Sequence, residues 1–179
     1  MAHNALGVSE NFKGNSQKGL YGEVMLEIDW SVGQIISTLK ELDLEKNTLM
    51  VFVSDNGPWL NFGNHAGSTG GLREGKGTSF EGGQRVPCVM QWPAMIAPNS
   101  VSGKLASTID LLPTIAEITG AELPNHKIDG VSILPLLKGD VSANPREVLY
   151  YYYGRNDLEA IRYKHWKLIF PHISRSYQG

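Results

Sequence analysis

The sequence predicts an α/β fold that gives way to a small antiparallel sheet near its C-terminus. Three observations carry this. A long stretch with helical periodicity runs directly into a short, continuous apolar segment. A second such segment is followed by another helical pattern. The last third then changes to aromatic and β-branched runs separated by polar turns.

In the first stretch, Leu20 to Leu42, the residues Tyr21, Val24, Met25, Ile28, Val32, Ile35, Ile36, Leu39 and Leu42 recur at three- and four-residue steps. This is the signature of an amphipathic helix whose apolar stripe packs on a core. Glu23, Glu27, Lys40 and Glu41 take the other face, and the run from Leu42 to Asn47 reads as the terminating turn. Thr48 to Ser54 is continuously apolar in its middle and predicts a strand buried on both faces, stopped by Asp55-Asn56-Gly57-Pro58. Ligands of α/β sheets collect beyond the carboxyl ends of the strands, so Asp55 and Asn56 stand where function is expected.

From Trp59 to Gln84 the chain is rich in glycine and polar residues and has no period, which predicts an unusually long loop. Pro87 to Trp92 predicts a second buried strand, with Cys88 inside it as a small hydrophobe. Ser107 to Gly120 predicts a helix with Asp110 near its start, Pro113 in its first turn and Gly120 as its C-terminal cap. An irregular apolar link, Ile128 to Gly139, leads to Val148–Tyr153, Ala160–Tyr163 and Lys167–Phe170, which predict the antiparallel sheet. No repeat or low-complexity tract interrupts this order.

Composition excludes several classes. The 179 residues are 41% apolar with 16 basic and 18 acidic side chains, which suits a folded domain rather than a disordered chain. A net charge of -2, with scattered Lys and Arg, gives no footprint for nucleic acid or an anionic membrane. No apolar run reaches the ~18 residues that span a bilayer, and the opening residues show no basic-then-apolar leader pattern. The single cysteine, Cys88, has no partner in the chain for a disulfide.

Asp55 and Asn56 place a carboxylate and a carboxamide oxygen side by side. These are hard donors suited to calcium or magnesium, whereas zinc favours histidine at such a position. The same four residues also read as a plain Asp-Asn-Gly-Pro turn. Gly70 to Ser79 nearly matches the phosphate-binding pattern G-x-x-x-x-G-K-[ST], but Gly77 breaks it, and Phe80-Glu81-Gly82-Gly83 reads as continuing loop rather than helix. What remains is Lys76, a cation between glycines, either meeting an anionic oxygen or solvated. His65 either lines a pocket in the same loop or is a polar loop residue. His3, near the terminus, reads on its own as a frayed surface histidine, and His126, His165 and His172 as structural or surface residues.

Taken together in order and spacing, Tyr21-Gly22-Glu23 with Glu27-Ile28-Asp29, Val53 to Pro58, Gly71 to Thr78 and Glu81 to Pro87 resemble the arylsulfatase family of type I, formylglycine-dependent sulfatases. Asp110 to Thr114 and Asp129 to Ser132 resemble that family's later helix and loop. The resemblance implies the later strands and helices of an alkaline-phosphatase-like mixed sheet in residues 1–140, and the start of a small antiparallel C-terminal subdomain in residues 141–179. It implies that Asp55 and Asn56 are calcium ligands, that Lys76 contacts the sulfate, that His3 lies against the sulfate or leaving-group oxygen, and that Asp55 takes part in proton transfer. The implied reaction is hydrolysis of a sulfate monoester, of a small molecule or a sulfated sugar, in a periplasmic, secreted or lysosomal setting.

The departure from the family is the missing Cys-x-Pro-Ser-Arg segment whose cysteine becomes formylglycine. The sequence around Cys88 does not match it. The chain is therefore expected to lack activity alone, to bind metal weakly with two ligands, and to self-associate through exposed sheet edges. The competing readings are a phosphoesterase or phosphonate hydrolase of the same superfamily, and a non-catalytic anion-binding module.

Overall fold

The computed structural model describes residues 6–173. They form two compact units, one of residues 6–89 with 172–173 and the other Met90–Pro171. In the first unit, helix α1 (Gly19–Glu41) realises the predicted helix almost residue for residue. Two of its polar-face glutamates hold the preceding segment: the Gly14 amide donates to Glu23 Oε1 at 2.9 Å and the Ser9 amide to Glu27 Oε2 at 3.0 Å. Its apolar stripe is less buried than the periodicity implies. Val24 is its one buried residue, while Trp30 is 53% and Ile35 56% exposed. The remaining elements of this unit are too small to cover a helix about 35 Å long.

Strand β1 (Met50–Val53) ends at Ser54 as expected and pairs with a later strand in a two-stranded sheet. The expectation of burial on both faces is corrected, because Val51 and Phe52 are exposed. Between the two strands, a 3-10 segment (Leu60–His65) and one helical turn, α2 (Glu81–Gln84), interrupt the long loop. Phe80 to Gly83 therefore does not continue as loop, as the sequence suggested. Gly82 and Gly83 are buried there, and their missing side chains allow the turn to form against neighbouring carbonyls. Strand β2 (Cys88–Gln91) follows at the predicted place. Cys88 is exposed rather than buried, since a two-stranded sheet leaves its faces uncovered, although local burial still pushes its thiol pKa up.

The second unit is organised around Asp110. A 3-10 turn (Thr108–Asp110) leads into α3 (Leu111–Thr119), which Gly120 closes in the left-handed conformation at φ 70°. The fully buried Asp110 carboxylate accepts from the Ser107 amide at 2.8 Å, from the Val131 amide at 2.9 Å and from Arg146 Nε at 3.0 Å. Arg146 Nη2 also binds this carboxylate and donates to the Asp129 carbonyl at 2.8 Å. Thr114 donates to the Asp110 carbonyl and accepts the Ile133 amide at 2.9 Å, which seats the link just before α4 (Leu134–Leu137).

The predicted antiparallel sheet is present as β3 (Val148–Tyr153), β4 (Asp157–Tyr163) and β5 (Trp166–Ile169), in that order. A register shift falls between Tyr151 and Tyr152. Tyr151 pairs with Ala160, and both are buried; Tyr150, paired with Ile161, lies on the open face. Trp92, Ala116, Ile133 and Leu134 are buried in the same unit.

Candidate functional site

A cavity of about 720 Å³ in the first unit is lined by α1, the end of β1 and the long loop. Asp55 and Asn56 reach it from the end of β1, Lys76 from the loop, and Tyr21 from α1. Asp55 is exposed and Asn56 half-buried. Asn56 Nδ2 donates to the Gly57 carbonyl at 3.0 Å, and the Ser54 hydroxyl donates to the Asn56 carbonyl at 2.8 Å. The amide nitrogen is thus engaged within its own turn, which leaves Oδ1 as the atom the side chain offers to a cation.

Residues some twenty positions apart meet here because backbone packs on backbone. The Gly57 amide donates to the Gly83 carbonyl at 2.9 Å, the Lys76 amide to the Pro58 carbonyl at 2.8 Å, and the Gly82 amide to the Arg73 carbonyl at 2.8 Å. A Cβ at Gly57 would stand 1.8 Å from the Gly82 carbonyl oxygen, and one at Gly82 1.9 Å from that of Glu74. Only glycine permits either approach. Thr78 donates to the Gly75 carbonyl and Gln84 Nε2 to the Thr78 carbonyl, both at 2.9 Å, so α2 closes the knot from beneath.

The structure therefore brings Asp55, Asn56 and Lys76 to one cavity, with the exposed His65 also on its wall. His3 lies outside the described residues. Two further lining residues went unrecognised in the sequence. Trp59 directly follows the strand-end turn, and its indole lies under the Lys76 ammonium at 5.3 Å. Arg85, just after α2, adds an exposed cation beside the half-buried Lys76 on the cavity lining. Trp59 adjoins the strand-end turn, and Arg85 stands inside the Glu81 to Pro87 segment that carried the family resemblance, where it was given no role of its own.

Among the described residues, no three His, Cys, Asp or Glu side chains gather as a metal site. Asp55 and Asn56 nonetheless fit a hard cation as far as they go, being adjacent oxygen donors at an open position. Calcium takes about six to eight oxygens, so they amount to part of a coordination shell.

The model of the family described as Sulfatase matches residues 4–121.

The chain belongs to the sulfatase family.

A second family model, N-sulphoglucosamine sulphohydrolase, C-terminal, matches residues 75–173. Arylsulfatase A of Bos taurus is 45% identical over 143 residues, which is 80% of this chain and 28% of that protein. N-acetylgalactosamine-6-sulfatase of Mus musculus is 41% identical over 168 residues, 92% of this chain and 32% of that protein. The crystal structure of the PsFucS1 sulfatase from Pseudoalteromonas sp. superposes with a TM-score of 0.88 at 33% identity, covering 94% of this chain and 34% of that one. This sulfatase chain thus spans about a third or less of the relatives it matches. Its structural neighbours have the alkaline-phosphatase-like fold expected from the sequence. Among the described residues, no helix is long and apolar enough to cross a membrane.

Proposed function

We propose that this chain carries the metal- and sulfate-binding part of a sulfuric ester hydrolase site, acting on a sulfate monoester with calcium and with a formylglycine nucleophile that lies outside these residues. The observation that carries this reading is the convergence of Asp55, Asn56 and Lys76 on one cavity. In this reading Asp55 and the Asn56 amide oxygen hold the calcium ion. Calcium, when bound, neutralises negative charge on the sulfuryl oxygens. Lys76 meets one of those oxygens as a point charge, its backbone anchored by the Pro58 carbonyl. Asp55 also exchanges a proton with the nucleophile or the leaving group, and the family resemblance assigns His3 to the sulfate or leaving-group oxygen.

The substrate in this reading is a sulfated small molecule or sugar, and the relative named N-acetylgalactosamine-6-sulfatase favours the sugar. We assign residues 1–140 to the α/β domain and 141–179 to the start of the small antiparallel subdomain. The setting is periplasmic, secreted or lysosomal, by family habit.

The test is calcium titration calorimetry on the chain, with and without sulfate, comparing wild type with Asp55→Ala. Calcium binding strengthened by sulfate and abolished in Asp55→Ala is the expected result. No binding at millimolar calcium would sink the reading of a preformed part-site. Binding strengthened by phenylphosphonate and not by sulfate would instead favour the phosphonate hydrolase reading, and sulfate binding indifferent to calcium a simple anion-binding module.

A further inference from the structure

We infer that Trp59 is a positioning residue for Lys76, holding the ammonium group over its indole face so that an incoming sulfuryl oxygen meets an already ordered charge. This rests on the reading of Lys76 as the cation that contacts sulfate.

The dipeptide Pro58-Trp59 holds Lys76 at both ends. The Lys76 amide donates to the Pro58 carbonyl at 2.8 Å. Its Nζ stands 5.3 Å from the Trp59 ring centroid, inside the ~6 Å over which a ring quadrupole attracts a cation. The loop lies flush on that dipeptide, because a Cβ on the neighbouring Gly75 would be 2.5 Å from the Pro58 carbonyl oxygen. The indole is itself fixed by Phe62, packed edge-on at 4.7 Å and 88°.

A free lysine side chain is among the costlier to order, and one ordered in advance loses less on binding. The ring and the anion need not compete. An ammonium group has three donors; the ring engages it by attraction to its charge, leaving N–H bonds for oxygen. The adjacency also accounts for a large aromatic residue at this wall of the cavity, where a smaller side chain would leave the lysine free to swing into solvent.

The test uses the full chain with its tryptophans replaced by mono-, di- and trifluorotryptophan. Fluorine withdraws electron density from the ring face while changing its size little. The other three tryptophans, Trp30, Trp92 and Trp166, do not line this cavity. The dissociation constant for inorganic sulfate, with calcium present, is read from the NMR signal of the Lys76 ε-methylene. The expected result is affinity falling in step with fluorine number, by about three- to ten-fold across the series, as loss of a cation–ring attraction predicts. Trp59→Tyr should likewise bind sulfate more tightly than Trp59→Leu. Sulfate that shifts the Lys76 signal with an affinity independent of fluorine number overturns the role of Trp59 and leaves that of Lys76 intact. Sulfate that leaves the Lys76 signal unmoved in the unsubstituted chain overturns both.

Discussion

Asp110 and Asp55 show how differently two aspartates are used in one chain. Asp110 is fully buried and shares its carboxylate among two backbone amides and Arg146, itself 8% exposed. Removing the negative charge strands a buried guanidinium, which costs about 3–5 kcal/mol where a buried pair is broken from one side. Asp110→Asn is therefore expected to lower the urea midpoint of the second unit sharply. A midpoint within error of wild type would show that the arginine finds water or another acceptor. Asp55 is exposed, and Asp55→Ala should change stability by no more than about 0.5 kcal/mol. The sequence placed Asp110 at a helix start and said nothing of Arg146, because the two are 36 positions apart and no local pattern links them. It placed Asp55 and Asn56 at a strand end, where position alone suggested function, and Trp59 escaped notice because its partner, Lys76, is brought near only by the folded loop.

At the scale of elements, local pattern fixes what is local. Periodicity predicts a helix over Leu20 to Leu42, and α1 spans Gly19–Glu41. Strands β1 and β2 likewise lie within the predicted runs, while their burial does not follow, since burial depends on neighbours that a strand's own residues do not specify. Helix α2 escaped prediction for a related reason. Two glycines disfavour a helix intrinsically, by roughly 1 kcal/mol each, and the turn forms because carbonyls from Glu74 and Thr78 occupy the space where side chains would be. The consequence is testable at Gly82. A Cβ there would stand 1.9 Å from the Glu74 carbonyl oxygen, backbone that cannot swing aside as a side chain would. Gly82→Ala is expected to destabilise the first unit by at least about 1–3 kcal/mol, the usual cost of overpacking, and to displace Lys76 from the cavity it shares with Asp55. Urea unfolding measures the first effect and loss of sulfate binding the second. An unchanged midpoint would mean the knot is looser than its distances imply.

At the scale of the whole chain, the question is what its uncovered apolar surface does in solution. A two-stranded sheet is all edge, and isolated pairs of strands are marginal in water. Here β1 and β2 form such a pair, with Phe52 43% and Val89 64% exposed. The apolar stripe of α1 adds Trp30 and Ile35 to the same unit. Surface of this kind favours pairing with another strand, and the partner always at hand in a pure sample is a second copy. The chain alone is therefore expected to self-associate, its sedimentation coefficient rising with concentration across the micromolar range. Val89→Lys places a charge on the open strand, the device by which natural edge strands resist pairing, and should return the chain toward a single species. Oxidative cross-linking through the adjacent, exposed Cys88 separates this from a route through α1: β2 edges that meet should trap a disulfide dimer, whereas copies meeting by α1 should not. A wild-type chain that stays monomeric at high concentration would show that these faces are too short or too twisted to pair, and that the exposed stripe alone does not drive assembly.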